Sequence, residues 1–282
     1  MKRVFLPLAI IFLVITSAAA AGPDVATIVK HMKRGLEGPS GAVRFMTLKV
    51  INGGNPVTEW KMAQANGTAN GAHWILTVVL APPDAKGIAF LDQERTGGTS
   101  SVKYVYLPAT KRVLEFTPVA GYDAFFATDF SYQDLGFIAL GGGGEKLVGT
   151  ETRDGKKVYK LEDHPINHPY YSKVISYVAT DTLLPIERDF YDRAGRLFKS
   201  EHCTLETVDG IPTITKIVMN DVQSGSSSEI DVTKVIQNKQ MPADLFDPKH
   251  LPEIADHPFW KTVTQSAMRT EGGARNMASG EN

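Results

Sequence analysis

Cysteine is almost absent from this chain of 282 residues, since Cys203 is the only one. A disulfide within the chain needs two cysteines, so a hydrophobic core has to stabilise the fold. A chain of this length can bury such a core within one domain. Cys203 lies in the strand-like run from Leu197 to Val208, which favours a buried, inert thiol over a nucleophile.

An excess of charge of either sign is also lacking. The chain has 30 basic and 31 acidic residues and a formal net charge of -1. Proteins that bind nucleic acid or anionic membranes through long-range electrostatics carry a marked basic excess. The composition therefore predicts no nucleic-acid partner and no strong overall attraction to an anionic membrane.

Long apolar runs are confined to the N-terminus. Basic residues at positions 2 and 3, an apolar run from Phe5 to Ile15 and three alanines at 18–20 are typical of a secretory signal peptide. The run is shorter than the roughly 20 residues that cross a bilayer, so an uncleaved anchor is the weaker alternative. We expect a signal peptide over residues 1–20 and a single exported domain over residues 21–251.

The usual sequence motifs of catalysis and metal binding are missing. The glycines at 141–144 lack the lysine and hydroxyl that end a phosphate-binding loop, and they predict a hinge. His164 and His168 are four residues apart, but each is followed by proline, which prevents the helix that would align two metal ligands. No serine nucleophile elbow and no interpretable carboxylate pair occurs. We expect no enzyme activity, no catalytic residue, no metal and no cofactor, although residues assembled across strands would leave no motif.

Alternation of apolar and polar residues is abundant. An amphipathic helix is predicted over Asp24 to Glu37, followed by about twelve short antiparallel strands joined by turn sequences such as Asp154-Gly155 and Asp209-Gly210. A meander of this kind with few helices favours a mainly β (α+β) fold. We predict a curved, half-open antiparallel β-barrel of about 11–12 strands whose helices form a lid over a hydrophobic cavity.

The strand faces supply large apolar side chains that we expect to line this cavity. Ordinary core packing is the alternative interpretation for each of them. Arg44 and Arg112 are the charged residues expected to point inward, and Arg112 is the candidate anchor for a polar headgroup. The predicted cavity residues are Trp60, Trp74, Leu76, Tyr104, Tyr106, Arg112, Leu114 and Phe116.

Strand alternation stops abruptly after the predicted hairpin that turns at Pro108-Ala109. An aromatic and acidic stretch follows, in which Ser131 and Asp134 have the spacing of a capping box that begins a short helix. We interpret this stretch as the lid, with helix packing as the alternative role for its phenylalanines. The predicted lid residues are Phe125, Phe126, Asp129, Phe130, Ser131, Tyr132 and Asp134.

Several segments resemble the outer-membrane lipoprotein-sorting protein family, which is related to the periplasmic lipoprotein carrier. The resemblance extends over roughly Lys30 to Leu251. It is least close at residues 122–128, where an apolar sequence replaces a more polar one, and residues 252–282 are expected to form a polar, disordered tail. The matching segments are YLPATKRV at 106–113, DFSYQDL at 129–135, YSKVISYV at 171–178, LPIERDFYDRAGRLFKS at 184–200 and MPADLF at 241–246.

This resemblance implies an incomplete barrel around a hydrophobic cavity, and a function in lipid traffic. Members of the family often accompany transporters of the resistance-nodulation-division type. We therefore expect a monomeric periplasmic protein that binds a lipid or a lipoprotein acyl chain and meets an inner-membrane transporter or an outer-membrane receptor. Two alternatives are a lipid-sensing module that binds an envelope protein, and an enzyme built on the same scaffold.

Overall fold

The computed structural model describes residues 22–34, 40–69, 72–95, 101–116, 120–134, 144–166 and 168–264. The predicted signal peptide lies outside these residues. Residues 141–143 of the predicted glycine hinge at 141–144 also lie outside them. The same holds for the residues beyond Asp134, where the predicted helix would continue.

Strands dominate the described chain, and thirteen of them form one antiparallel sheet. Consecutive strands pair with each other except where the connection between β6 and β7 intervenes. The strands are β1 (Ala42–Asn52), β2 (Asn55–Ala69), β3 (Ala72–Ala81), β4 (Ala89–Glu94), β5 (Ser101–Leu107), β6 (Arg112–Phe116), β7 (Lys146–Arg153), β8 (Lys156–Asp163), β9 (Tyr171–Ala179), β10 (Pro185–Asp192), β11 (Leu197–Val208), β12 (Ile211–Asp221) and β13 (Ser227–Gln237).

The sheet does not close. β1 pairs with β13, so the strand order runs from β6 through β1 and β13 to β7, and β6 and β7 form the two edges. The predicted half-open antiparallel fold is confirmed, with thirteen strands instead of 11–12. The additional strand is β1, whose first half is buried on both faces and therefore lacks the alternation that marks other strands.

Two of the predicted tight turns illustrate how local sequence sets the sheet. Asp154 and Gly155 have φ values of 48° and 75°, and Asp209 and Gly210 have values of 51° and 77°. Two successive residues with positive φ form the type I′ turn that suits the right-handed twist of a hairpin, and an aspartate followed by glycine adopts it readily. These turns join β7 to β8 and β11 to β12.

Helices contribute little to the described residues, and none is both long and apolar enough to cross a membrane. Helix α1 spans Val25–Arg34, inside the predicted range, and its Ile28 and Met32 pack against Leu161 and Val178. Near the C-terminus, 3₁₀ helices span Ala243–Phe246 and Pro248–Asp256, and helix α2 begins at residue 258. A further 3₁₀ turn spans Ala120–Tyr122.

The sheet has two covered faces, which we call face A and face B and distinguish by the segments that cover them. Face A contacts α1 and the segment between β6 and β7, and face B contacts the C-terminal segment 241–264. Strand registers assign residues to each. Face A includes Met46, Leu48, Trp60, Met62, Phe190, Ile217, Met219 and Ile230, and face B includes Val43, Ala63, Ala65, Leu76, Leu91, Tyr104 and Tyr106.

The predicted disordered tail begins too early. Within residues 252–264, the side chains of Ile254, Phe259, Trp260 and Val263 are buried against face B. Trp260 also donates a hydrogen bond from Nε1 to the carbonyl oxygen of Ile254 at 2.7 Å. Most residues of this stretch are polar, so its apolar residues are widely spaced along the chain. The short helical segments bring these apolar residues to one side. Residues 265–282 lie outside the described residues.

A buried ion pair occupies face A between β10 and β11. Arg188 donates from Nε and Nη2 to the carboxylate of Glu201 at 2.7 Å and 2.6 Å, and both side chains are almost wholly removed from solvent. Burial opposes the charge on the guanidinium, but the adjacent carboxylate raises the pKa of Arg188 above its usual value. The pair remains ionised, because each charge compensates the desolvation of the other.

Replacing Glu201 with Gln should destabilise the protein by about 3–5 kcal/mol, because the Arg188 charge would remain buried without its partner. The double replacement of Arg188 with Met and Glu201 with Leu should recover most of that loss. Urea unfolding followed by circular dichroism measures both effects. Asp256→Asn, which breaks an exposed pair with Lys86, is the control and should change the stability little, because solvent screens that pair. A loss no larger than the control's would contradict the assignment.

Candidate functional site

The two unpaired edges of the sheet are consecutive strands, so their connection has to cross a face. We call residues 117–145, which link β6 to β7, the crossing segment; residues 120–134 and 144–145 are described. Phe125 and Phe130 pack against the apolar side chains of face A and are each 1% exposed. The crossing segment therefore covers face A, which is the position expected of the predicted lid.

Its backbone folds on itself rather than joining the sheet. The amide of Phe125 donates to the carbonyl of Phe130 at 2.7 Å, and Ala124 and Ser131 form an isolated bridge. Phe126, at the tip of this loop, has a φ of 51°. A bulky side chain rarely adopts this left-handed conformation, which costs on the order of 1–2 kcal/mol.

Aromatic rings form the contact between the crossing segment and the sheet. Phe126 stacks on Trp60 with 5.8 Å between ring centroids, although it is 37% exposed. Tyr132 lies 4.9 Å from Phe116, and Phe125 contacts Tyr132 at 5.3 Å. We call these five rings the aromatic layer. An apolar molecule could replace such ring contacts without leaving a polar group unpaired.

Asp129 is the polar anchor of the crossing segment. Its carboxylate accepts hydrogen bonds from the hydroxyls of Ser226 at 2.5 Å and Ser228 at 2.7 Å. The Nζ of Lys199 donates to the Asp129 carbonyl at 2.6 Å. These contacts fasten the loop beside the turn between β12 and β13. The predicted lid residue Asp129 therefore contributes attachment rather than apolar surface.

Ser131 and Asp134 form the predicted reciprocal contacts. The Asp134 carboxylate accepts from the amide and hydroxyl of Ser131, each at 2.7 Å, and the Asp134 amide donates back to Ser131 Oγ at 3.3 Å. Both residues are buried. The capping-box geometry is present, and the residues in which the predicted helix would continue lie outside the described ones.

His168 lies next to the crossing segment in the loop between β8 and β9. Its ring stacks on Tyr171 at 4.3 Å and lies 4.0 Å from Tyr122, and its Nδ1 accepts from the amides of Tyr170 and Tyr171. Burial lowers the pKa of His168 to about 4, while the nearby Asp134 charge partly opposes this shift. The imidazole is therefore neutral at pH 7. No cluster of potential metal ligands occurs in the described residues.

The predicted cavity residues do not share one surface. Trp60, Leu114 and Phe116 lie on face A, as the pairing of Leu114 with Val105 and the contacts of Phe116 show. Arg112 is exposed at the start of β6. The remaining four pack on face B, beneath the C-terminal segment: Trp74, Leu76, Tyr104 and Tyr106. The prediction of a single lining was wrong because alternation within a strand does not reveal which side of the sheet each set faces.

No sequence pattern indicates the residues that hold the crossing segment. Ser226 and Ser228 are separated from Asp129 by 97 and 99 positions. No sequence pattern indicates Lys199 either, and the strand order alone brings its side chain to the Asp129 carbonyl. The spacing of His164 and His168 raises the question of a metal site, whereas the contacts of His168 are those of a packed, neutral ring.

Solved structures define the class of this fold. A domain described as an outer membrane lipoprotein-sorting protein from Vibrio parahaemolyticus is 23% identical, with a TM-score of 0.70 over 80% of this chain and 97% of its own. A DUF1329 family protein from Desulfovibrio piger has the same identity and TM-score, over 80% of this chain and 96% of its own. A LolA superfamily protein from Nitrosomonas europaea is 18% identical, with a TM-score of 0.60 over 79% and 96%. The predicted resemblance is confirmed, and the fold is LolA-like.

A family model described as "Uncharacterized protein" matches residues 71–253. This match extends over more than half of the chain, so the chain belongs to that family. No curated protein matches the sequence.

Replacing Asp129 with Ala should destabilise the protein by about 1–3 kcal/mol, because the buried hydroxyl of Ser228 would lose its acceptor. Hydrogen exchange should increase in residues 120–134 more than in the central strands. Asp123→Ala is the matched control, since Asp123 is an exposed carboxylate of the same segment that accepts one longer hydrogen bond, from the Tyr170 hydroxyl at 3.2 Å. Equal effects of the two replacements would argue against Asp129 as the anchor.

The stability of the protein should fall as the pH decreases from about 6.5 towards about 4. In this window His168 becomes protonated in the unfolded chain but stays neutral in the folded chain, so protonation favours unfolding. The contribution is fully present above the unfolded pKa. Between pH 7 and pH 4.5, His168→Gln should lose about 1–2 kcal/mol less stability than the wild type. Urea titrations across this range test the effect, and parallel profiles would contradict it.

Proposed function

We propose that this protein is a periplasmic lipophile-binding protein that carries or presents a lipid or lipoprotein acyl chain between face A and the crossing segment. The observation that carries the proposal is the aromatic layer, in which a loop outside the sheet covers face A through ring contacts. The LolA-like fold supports a lipid-binding scaffold of this kind.

Energetics favour an exchange between the aromatic layer and an acyl chain. Each methylene buried contributes about 0.8 kcal/mol, so a chain of sixteen carbons in water would be unfavourable by roughly 12 kcal/mol. Moving the loop away from face A would expose apolar surface that the chain could cover in its place. The strained φ of Phe126 lowers the cost of that movement, because the loop can relax when the Trp60 contact is lost.

The ligand would contact the face A members of the predicted set, namely Trp60, Leu114 and Phe116. Arg112, exposed at the start of β6, is the proposed contact for a polar headgroup. The face B residues have no part in this proposal, since the C-terminal segment already covers them.

The buried reactive groups support binding rather than catalysis. Burial raises the pKa of the Cys203 thiol, so its nucleophilic thiolate is disfavoured. The Arg188 and Glu201 charges are bound to each other, and both backbone amides near His168 are bonded to its Nδ1. As the resemblance implies, a transporter of the resistance-nodulation-division type would be the partner with which cargo is exchanged.

Tryptophan fluorescence provides a test that separates the two faces. A dibrominated stearic acid quenches only tryptophans that it contacts, and Trp60 lies on face A whereas Trp74 and Trp260 lie on face B. We expect saturable quenching of the wild type, loss of most of it in Trp60→Phe, and retention in the matched control Trp74→Phe. Phe126→Ala should change the affinity for the probe.

Absence of quenching, or equal quenching in both tryptophan variants, would refute the proposal. Mass spectrometry of lipids extracted from the protein purified from its native envelope identifies the natural cargo. Transfer of that cargo between vesicles would distinguish a carrier from a lipid sensor, which binds without transferring.

A further inference from the structure

One end of the sheet collects the exposed apolar side chains. The strand directions place the β1–β2, β3–β4, β5–β6, β8–β9, β10–β11 and β12–β13 connections at the same end, which we call the turn end. Every large apolar side chain that is exposed in the described part of the chain lies at or near it. They are Val57, Phe126, Leu147, Val148, Ile166, Tyr170 and Val222.

This concentration is not explained by packing. Ile166 is 84% exposed and Val222 is 51% exposed, each in a connection between strands. Isolated exposed apolar residues are normal on a soluble protein, but a group of them at one end marks a surface that contacts something apolar. The opposite end, with its Asp154-Gly155 and Asp209-Gly210 turns, carries none in the described residues.

Cations lie beside these apolar groups. Arg193 is exposed in the β10–β11 turn and Arg196 in the same turn is 71% exposed. Lys146 is exposed next to Leu147 and Val148 at the start of β7. An open groove of about 370 Å³ runs between the two arginines, and Asp192, Tyr170, Phe198 and Gln223 also line it. Guanidinium groups bind phosphate through paired hydrogen bonds, so this groove suits a phosphate between apolar neighbours.

The nearby carboxylates offset part of this positive charge. Asp192 forms an ion pair with Arg196 at 2.8 Å, so Arg193 is the cation that the groove offers to a phosphate. Asp192 accepts from the side chains of Arg196 and Gln223, which hold its pKa at about 2. Asp221 accepts from the amides of Gln223 and Ser224. Asp123 accepts from the hydroxyl of Tyr170 at 3.2 Å, which also joins the turn end to the crossing segment.

We propose that the turn end docks on a phospholipid surface, with Ile166, Tyr170 and Val222 in the interface and Arg193 on lipid phosphate. Apolar side chains flanked by cations are the pattern of proteins that lie on a bilayer. The occupant is a lipid surface because Arg193 fits a lipid phosphate and the apolar groups fit the acyl boundary. This inference goes beyond the proposed function and does not require that an acyl chain binds on face A.

Flotation of the full mature protein with protein-free vesicles tests the proposal. The vesicles contain phosphatidylethanolamine with a rising fraction of phosphatidylglycerol. We expect binding by the wild type, roughly fivefold weaker binding by Ile166→Ser, and tighter binding by Ile166→Trp. Both replacements affect a highly exposed residue, so the opposite signs cannot arise from damage to the fold.

Charge is tested by a matched pair. Arg193→Gln should weaken binding and reduce its dependence on phosphatidylglycerol. Lys156→Gln makes the same change in charge at the opposite end, in β8, and should bind like the wild type. Quenching by dibrominated stearic acid should be unchanged in Ile166→Ser, so failure of docking and failure of acyl binding are distinguishable.

Three results would overturn the docking proposal: no binding to protein-free vesicles, equal effects of Arg193→Gln and Lys156→Gln, or unaltered binding in both Ile166 variants. Binding only to vesicles that contain reconstituted envelope proteins would also overturn it, because the partner would then be a protein.

Discussion

The pairing of β1 with β13 is the constraint on which the rest of the structure depends. It joins a meander of six strands to one of seven, along a register from Ala42 with Gln237 to Ile51 with Ser227. Because this pairing occupies the middle of the sheet, β6 and β7 become its distant edges although they are consecutive in the chain. The connection between them must therefore cross a face, and it brings Phe125 and Phe130 onto face A. The position of the crossing segment on face A is a consequence of the strand order.

The two faces then acquire different roles. Face B is closed by residues that follow the last strand, with Leu245, Phe246 and Trp260 packed on it and an internal hydrogen bond on the Trp260 indole. Face A is closed by a loop whose described residues pair with each other in an isolated bridge, and Asp129 attaches this loop to Ser226 and Ser228. Ring contacts without accompanying backbone bonds can be exchanged for a ligand at small cost, which is why the binding proposal belongs to face A. The ion pair of Arg188 and Glu201 also lies on face A, but the two charges compensate each other.

Much of the fold followed from local patterns. Twelve strands are recognisable from alternating or β-branched and aromatic runs bounded by turn sequences. The Asp-Gly turns are recognisable because their backbone conformation favours these residues. β1 was not predicted, because its apolar residues lie on both faces of the sheet. Val43 and Phe45 lie on face B, and Met46 and Leu48 lie on face A. Alternation shows that Tyr104 and Tyr106 are together, and that Leu114 and Phe116 are together. It cannot show that the two pairs are separated by the sheet, since that depends on the register between β5 and β6.

The sequence by itself determined the antiparallel β class, the family resemblance, the interruption of alternation after β6 and the capping box of Ser131 and Asp134. These features depend on residues close together in the chain, where side-chain periodicity and backbone preference act directly. Tertiary structure alone decided which aromatic residues lie under the crossing segment, that Asp129 meets Ser226 and Ser228, and that exposed apolar side chains gather at the turn end. Contacts between residues about a hundred positions apart depend on strand order and register, and no local pattern encodes either.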